Sequence, residues 1–228
     1  MMISLKGKVV MITGALGGLG QTVTEAFSRS GAKVVVVGRE LPEKLAEGLL
    51  GISADVTDEA DVRRLMNEAV QQTTRIGCVI NLVGGFAMGR LAETEMSTWS
   101  KMLSLNLTSA FLLSREATRL MSNQGSGRII HMAARAAVDP FPGAGAYIVS
   151  KSGLLVLIKV LALELAGSGV KVNGVLPSTI DTPANRQSMP DADPNEWVKP
   201  EAIAALLVFL ASDEADALNG ALIPIGSS

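Results

Sequence analysis

Tyr147 and Lys151 are the pair in this 228-residue sequence best suited to moving a proton. On a helix, positions i and i+4 share one face, so the phenol and the ammonium point the same way. A free tyrosine titrates near ~10 and is a poor base at neutral pH. A neighbouring ammonium favours the phenolate and brings it toward the range of a proton-transfer catalyst. The same spacing also arises from a buried tyrosine and a surface lysine with no chemistry between them. A second stretch, Thr13-Gly14-Ala15-Leu16-Gly17-Gly18-Leu19-Gly20, suits a phosphate. It follows the apolar run Val9-Val10-Met11-Ile12 and opens into a helical pattern with Leu19, Val23, Ala26 and Phe27 on one face. In a strand–turn–helix unit, Gly14 permits the tight turn, Gly18 lets a pyrophosphate approach the backbone, and Gly20 lets helix and strand pack closely. The anion then rests on free N–H groups at the positive end of the helix. This stretch reads as a dinucleotide site.

Residues 38 and 39 bear on which dinucleotide. An acidic side chain at the end of the second strand would bind the ribose 2′-hydroxyl and repel a 2′-phosphate. Gly38 stands there, followed by Arg39, whose guanidinium suits a phosphate. The reading is NADP(H) over NAD(H), although Glu40 is adjacent and a solvated surface Arg39 is the alternative. His131 lies mid-strand and reads as a core residue. Phe86 and Met88 are expected on one wall of a substrate cleft, with Met189 and Trp197 on a segment, residues 182–199, that can close as a lid. Core packing is equally open to Trp197.

These residues need a scaffold, and apolar runs alternate with helical patterns along the chain. Strands are expected at residues 9–12, 33–37, 52–54, 78–83, 128–132, 171–176 and 221–225. Helices are expected after Gly18 and at 42–48, after Thr57 or Asp58 as cap, and at 97–123, 147–166 and 200–211. Such alternation, mostly without hairpin turns, implies an α/β chain with a doubly wound parallel sheet in one domain, residues 1–228. Ligands of such sheets bind beyond the carboxyl ends of the strands.

Composition agrees: 48% hydrophobic and 18% charged residues fit several fully buried strands. A net charge of -2 gives no reason to expect nucleic acid or an anionic membrane surface. Cys78 is alone and reads as a buried, inert thiol. The beginning of the sequence, Met1-Met2-Ile3-Ser4-Leu5-Lys6, lacks a signal-peptide pattern. No apolar run approaches the ~18 residues of a membrane span, and a cytoplasmic protein is expected. No metal site is expected.

Taken in order, Thr13-Gly14 through Gly20, Asp55-Val56, Asn81 through Gly84, Asn106, Tyr147 with Lys151, and Pro177 through Thr182 resemble the short-chain dehydrogenase/reductase family along essentially the whole chain. The resemblance implies a Rossmann-type sheet of about seven strands and an NAD(P)-dependent oxidoreductase. It makes Tyr147 the proton donor or acceptor, has Lys151 lower its pKa and hold the nicotinamide ribose, and has Asn106 keep a water in a proton relay. Cofactor contacts are implied for Gly14, Leu16, Gly18, Leu19, Gly20, Asp55, Val56, Asn81, Gly84, Pro177, Ile180 and Thr182, with Asp55 and Val56 at the adenine and Ile180 and Thr182 flanking the nicotinamide. Asn106 as a helix-kink residue and Asp55 as a strand-end cap are the alternatives.

Family members usually place a serine thirteen residues before the tyrosine, where it hydrogen-bonds the substrate carbonyl; here that position is Ala134. Losing such a donor typically costs about 10²–10³ in turnover. Within the family, the chain resembles dihydropteridine reductases in Gly84-Gly85-Phe86-Ala87-Met88-Gly89 and in Asp181-Thr182-Pro183-Ala184-Asn185-Arg186 continuing to Trp197. Such enzymes reduce a quinonoid dihydropterin, whose ring gains stability on accepting hydride, so the serine matters less. Their mammalian-type members favour NADH, from which Gly38-Arg39 departs. The expected substrate is a quinonoid dihydropterin. A small ketone or 3-oxoacyl group is the second reading, and a catalytically quiet dinucleotide-binding protein is a reading of another class. Helices at 107–121 and 154–165 carry more apolar positions than one sheet-facing stripe needs, so a homodimer or homotetramer is expected.

Overall fold

The computed structural model describes residues 3–226, so Met1 and Met2 of the N-terminal reading lie outside it. The described residues form a parallel sheet of seven strands in the order β3-β2-β1-β4-β5-β6-β7. These are β1 (Val9–Thr13), β2 (Lys33–Gly38), β3 (Leu49–Ser53), β4 (Cys78–Asn81), β5 (Gly127–Met132), β6 (Val170–Pro177) and β7 (Leu222–Ile225). The helices are α1 (Gly18–Arg29), α2 (Glu59–Thr73), α3 (Met96–Leu103), α4 (Ser109–Gln124), α5 (Gly145–Glu164), α6 (Pro183–Ser188) and α7 (Pro200–Ala211). Alternate residues of each buried strand feed opposite faces. Met11, Val79 and Ile129 join Leu65, Leu113, Leu154 and Ile158 of α2, α4 and α5. Val10, Ile80 and Ile130 join Val23, Phe27, Ile203 and Leu207 of α1 and α7. The strand order reverses between β1 and β4, which opens a crevice at their carboxyl ends.

Several expected elements differ. Residues 42–48 form no helix: the segment is too short to offset nucleation, and it docks only Leu41 and Leu45 beside Gly51. β3 consequently begins at Leu49 and ends before Ala54. β4 stops at Asn81 because the Asn81 side chain, rather than a neighbouring strand, accepts the Val83 N–H at 3.1 Å. The helical stretch at 97–123 is two helices joined by a π turn, Ser104–Thr108, with Asn106 buried at its centre. α6, which the sequence reading did not expect, lies inside the 182–199 segment, started by Thr182 as cap and Pro183 in the first turn.

α5 is 20 residues long with a mean hydropathy of 1.8, enough by length and composition to cross a membrane, although no uninterrupted apolar run signals it. It is a core helix here. Its buried face (Ala146, Ser150, Lys151, Leu154, Ile158, Ala162) packs on the sheet. Cys78 is fully buried on β4, and burial pushes its thiol up to about 12, which keeps it inert.

Candidate active site

The turn from β1 to α1 is built of backbone. Gly14 adopts a left-handed φ of 72°, and any Cβ on Gly20 would overlap the Gly14 carbonyl. Gly17 caps α1 without a side chain, so the first N–H groups of the helix stay free for an anion. Beside this turn lies a cavity of about 420 Å³ lined by Gly14, Leu16, Gly17, Val37, Gly38, Arg39 and Glu40. A Cβ on Gly38 would sit 2.9 Å from Leu16 Cδ1, so a side chain at position 38 needs Leu16 to move. A dinucleotide fits these features: a side-chain-free cradle, a cavity beyond the β2 end, and one guanidinium on its rim. The Asp55 carboxylate accepts from Thr57 N at 2.9 Å and Thr57 Oγ1 at 2.6 Å, and these bonds, with Arg39 nearby, hold it below the usual carboxylate range. It thus closes a turn onto Thr57 just beyond β3, while Val56 beside it is buried.

Where β4 and β5 end, polar groups converge around Lys151. The side chain is 5% exposed, and Nζ donates to the Met132 carbonyl at 2.7 Å. Gly84 makes room for it, since a Cβ there would lie 2.8 Å from Asn106 Oδ1 and 3.2 Å from Lys151 Nζ. Asn106 Oδ1 accepts from Gly85 N at 2.9 Å, and Nδ2 donates to the Gly85 carbonyl and to Ser150 Oγ, both at 3.0 Å. Ser150 in turn donates to the Tyr147 carbonyl at 2.7 Å. The π turn brings Asn106 to the β4 loop, so its kink and its polar contacts are one feature. Asn81 Oδ1 accepts from Thr13 Oγ1 at 2.8 Å and ties β1 to β4. Pro177 ends β6 at the same edge.

Tyr147 is the chain's single tyrosine. Burial pushes its phenol up to about 12 and drives the Lys151 ammonium down to about 8. In this geometry desolvation acts on both groups, opposite in direction to the lowered phenol expected from the lysine, and Nζ is turned to the Met132 carbonyl. The Phe86 ring meets Tyr147 edge-on, centroids 4.9 Å apart. Its loop is pinned by Gly89, which donates to the Gly143 carbonyl at 2.7 Å and accepts from Gly145 N at 3.3 Å. Phe86 and Met88 are more than half exposed. Ala134 is buried in extended backbone just past β5 and carries no donor.

The segment after β6 starts over the glycine turn, with Pro183 Cδ and Thr182 Cβ 3.4 and 3.5 Å from where a Gly18 Cβ would be. Ile180 bridges to Val198. Asn185 donates to the Ile180 carbonyl at 2.8 Å, while Asp181 accepts from Arg186 and from Lys199 at 2.8 Å. Those two cations hold Asp181 far below the usual range. Met189 is partly exposed, whereas Trp197 is 9% exposed and packs inward rather than presenting a broad wall. The sequence reading missed Ser150, Asn185 and the Asp181 cluster. Ser150 sits three residues past Tyr147, on the Lys151 side, and that spacing was its only signal. Among the described residues no cluster of His, Cys, Asp or Glu could hold a metal.

The short chain dehydrogenase family profile matches residues 8–193. The chain is 32% identical to D-threitol dehydrogenase of Mycolicibacterium smegmatis, over 95% of this chain and 90% of that protein. It is 31% identical to a 3-oxoacyl-(acyl-carrier-protein) reductase of Thermotoga maritima, over 97% of each. Among solved structures, a short-chain type dehydrogenase/reductase from Mycobacterium ulcerans superposes with a TM-score of 0.91 at 25% identity, over 98% of this chain and 90% of that one. A 3-ketoacyl-(acyl-carrier-protein) reductase from Brucella melitensis complexed with NADH gives 0.88 at 26%, over 98% of each.

A buried lysine with a depressed pKa costs stability at neutral pH. The unfolded chain then binds a proton more readily than the folded one, so stability rises as pH climbs through about 8 toward the unfolded value. Lys151→Met is therefore expected to raise the melting temperature at pH 7, by a free energy on the order of 1–3 kcal/mol once the unpaired Met132 carbonyl is allowed for. The gain should shrink toward pH 10, as read by calorimetry across pH. A variant less stable at every pH would contradict the burial argument.

Proposed function

The chain belongs to the short-chain dehydrogenase family, an NAD(P)-dependent oxidoreductase by that membership, and from this premise we propose that it reduces a quinonoid dihydropterin with NADPH, Tyr147 giving the proton. Ala134 carries the substrate reading: just past the end of β5, thirteen residues before the tyrosine, stands a buried methyl group in place of a hydroxyl donor. A carbonyl substrate leans on such a donor as its oxygen gains charge. A quinonoid ring spreads that charge and gains stability on reduction, so one proton donor suffices. The exposed faces of Phe86 and Met88 suit a planar heterocycle.

Gly14, Gly18 and Gly20 would hold the dinucleotide's pyrophosphate, and Ile180 and Thr182 would flank its nicotinamide, which would supply the hydride. Tyr147 is protonated at neutral pH and donates to the substrate atom whose electron density has risen. The phenolate left behind is stabilised by the Lys151 ammonium, which also holds the ribose in this reading. Asn106 fixes the Gly85 backbone and Ser150 around that ammonium, and keeps the relay by which the phenol regains its proton. Arg39, on the cavity rim beside a side-chain-free Gly38, favours the 2′-phosphate. Residues 182–199 act as a lid that the Asp181 ion pairs hold together. Reduction of a small ketone or 3-oxoacyl group is the second reading, favoured by what the similar proteins are named for.

Exposed Phe111, Val149, Val156, Val160 and Leu163 on α4 and α5 form an unused apolar face, and on it we base a homodimer or homotetramer. Light scattering at micromolar concentration should give at least twice the chain mass; a monomer would refute it.

A substrate panel run with both dinucleotides tests the reaction. NADPH should give the higher kcat/KM, and Arg39→Ala should remove that preference. Ala134→Ser should raise ketone turnover about tenfold or more while changing dihydropterin turnover by less than about twofold. Brisk ketone reduction by the unmodified protein, with none of the dihydropterin, would overturn the substrate assignment in favour of the second reading.

A further inference from the structure

His131 is the only histidine in the chain, and no step above uses it. It is wholly buried on β5, level with Asn81 of β4 and Gly174 of β6, and one residue before the Met132 carbonyl that receives Lys151. Its Nε2 lies 2.8 Å from Ser114 Oγ of α4, itself 1% exposed. Its Nδ1 has no hydrogen-bond partner among the described residues. Burial and the charge of Lys151 hold the ring neutral, down to about 3. Among the described residues no carboxylate pairs with Lys151. The charged group that acts on the His131 ring is Lys151 of α5.

A neutral imidazole carries one proton, and the two choices differ here. With the proton on Nδ1, a buried N–H would lack an acceptor, in surroundings the Lys151 ammonium already makes positive. With the proton on Nε2, that N–H is satisfied by Ser114 Oγ, and a lone pair is left at Nδ1. The second arrangement is favourable to both groups. A carboxylate in the same place would clamp the lysine in an ion pair, whereas a lone pair offsets part of the charge and leaves the ammonium free to serve the tyrosine.

We propose that His131 is a positioning residue for Lys151: fixed by Ser114 as the Nε2–H tautomer, it turns the Nδ1 lone pair toward the buried ammonium and supports Lys151 in its charged form against the Met132 carbonyl. The inference rests on the reading of Tyr147 and Lys151 as the proton-transfer pair, but its first test measures no turnover, so a wrong reaction would leave that test intact. In the full chain labelled with ¹⁵N-histidine, the single imidazole should report the neutral Nε2–H tautomer from about pH 6 to pH 10. Its Nδ1 resonance should shift as Lys151 loses its proton near pH 8, and Lys151→Met should abolish that movement. An Nδ1–H tautomer, an imidazolium, or an Nδ1 resonance indifferent to Lys151 would overturn the proposal.

The pH profile of reduction supplies a second readout. His131→Phe and Ser114→Ala should move the alkaline limb of kcat to lower pH by about half a unit or more, and His131→Gln, which keeps an acceptor, should restore part of it. Lower turnover with an unmoved limb would mean packing alone and would count against the proposal. Should these variants fold poorly, the resonance of the unmodified chain decides.

Discussion

A lysine ammonium with no carboxylate beside it is expensive to bury, and the carboxyl edge of this sheet is arranged around one. Lys151 Nζ ends on the Met132 carbonyl of β5, which is free because the strand ladder finishes there. Space for the side chain comes from Gly84, where even a methyl group would crowd Nζ. The Asn106 amide that closes over the same point reaches the β4 loop through a π turn dividing α3 from α4. Each of these features is locally unfavourable or neutral. Together they hold one charge where water does not compete for it.

That arrangement explains why the two titrating groups behave as they do. Burial raises the phenol, which stays protonated, and lowers the ammonium to within reach of physiological pH. A protonated phenol is the form a reductase needs to hand over a proton. The Phe86 ring, edge-to-face with Tyr147, makes its surroundings more apolar still. The glycine turn and the α1 terminus have a separate part in the proposed reading, where they offer a phosphate backbone N–H groups alone.

Periodicity made the sheet, its parallel order and most helices legible, because buried strands and amphipathic helices leave long patterns. The boundaries that failed are those set by single side chains or by length. Asn81 ends β4 by capping its own loop, and residues 42–48 lack enough apolar surface to hold a helical turn. The break at Asn106 was readable only as a possible kink, since a π turn has no pattern of its own. The Tyr147–Lys151 spacing put the phenol and the ammonium on one helix face, but it carried no sign of the burial that raises the phenol. Spacing reports which groups share a face, whereas desolvation depends on everything packed around them. His131 was rightly seen as a core histidine, but its tie to Ser114 links residues 17 apart on different elements and leaves no trace in the sequence.

The central claim is that Tyr147 gives the proton while Lys151 and the glycine turn hold the dinucleotide. Steady-state turnover of Tyr147→Phe, measured beside its NADPH dissociation constant, tests it most directly. The account predicts a fall in kcat of ~10² or more with dinucleotide affinity changed by less than about twofold, because only the phenol hydroxyl is removed. Near-normal turnover would place the proton donor elsewhere and contradict the account.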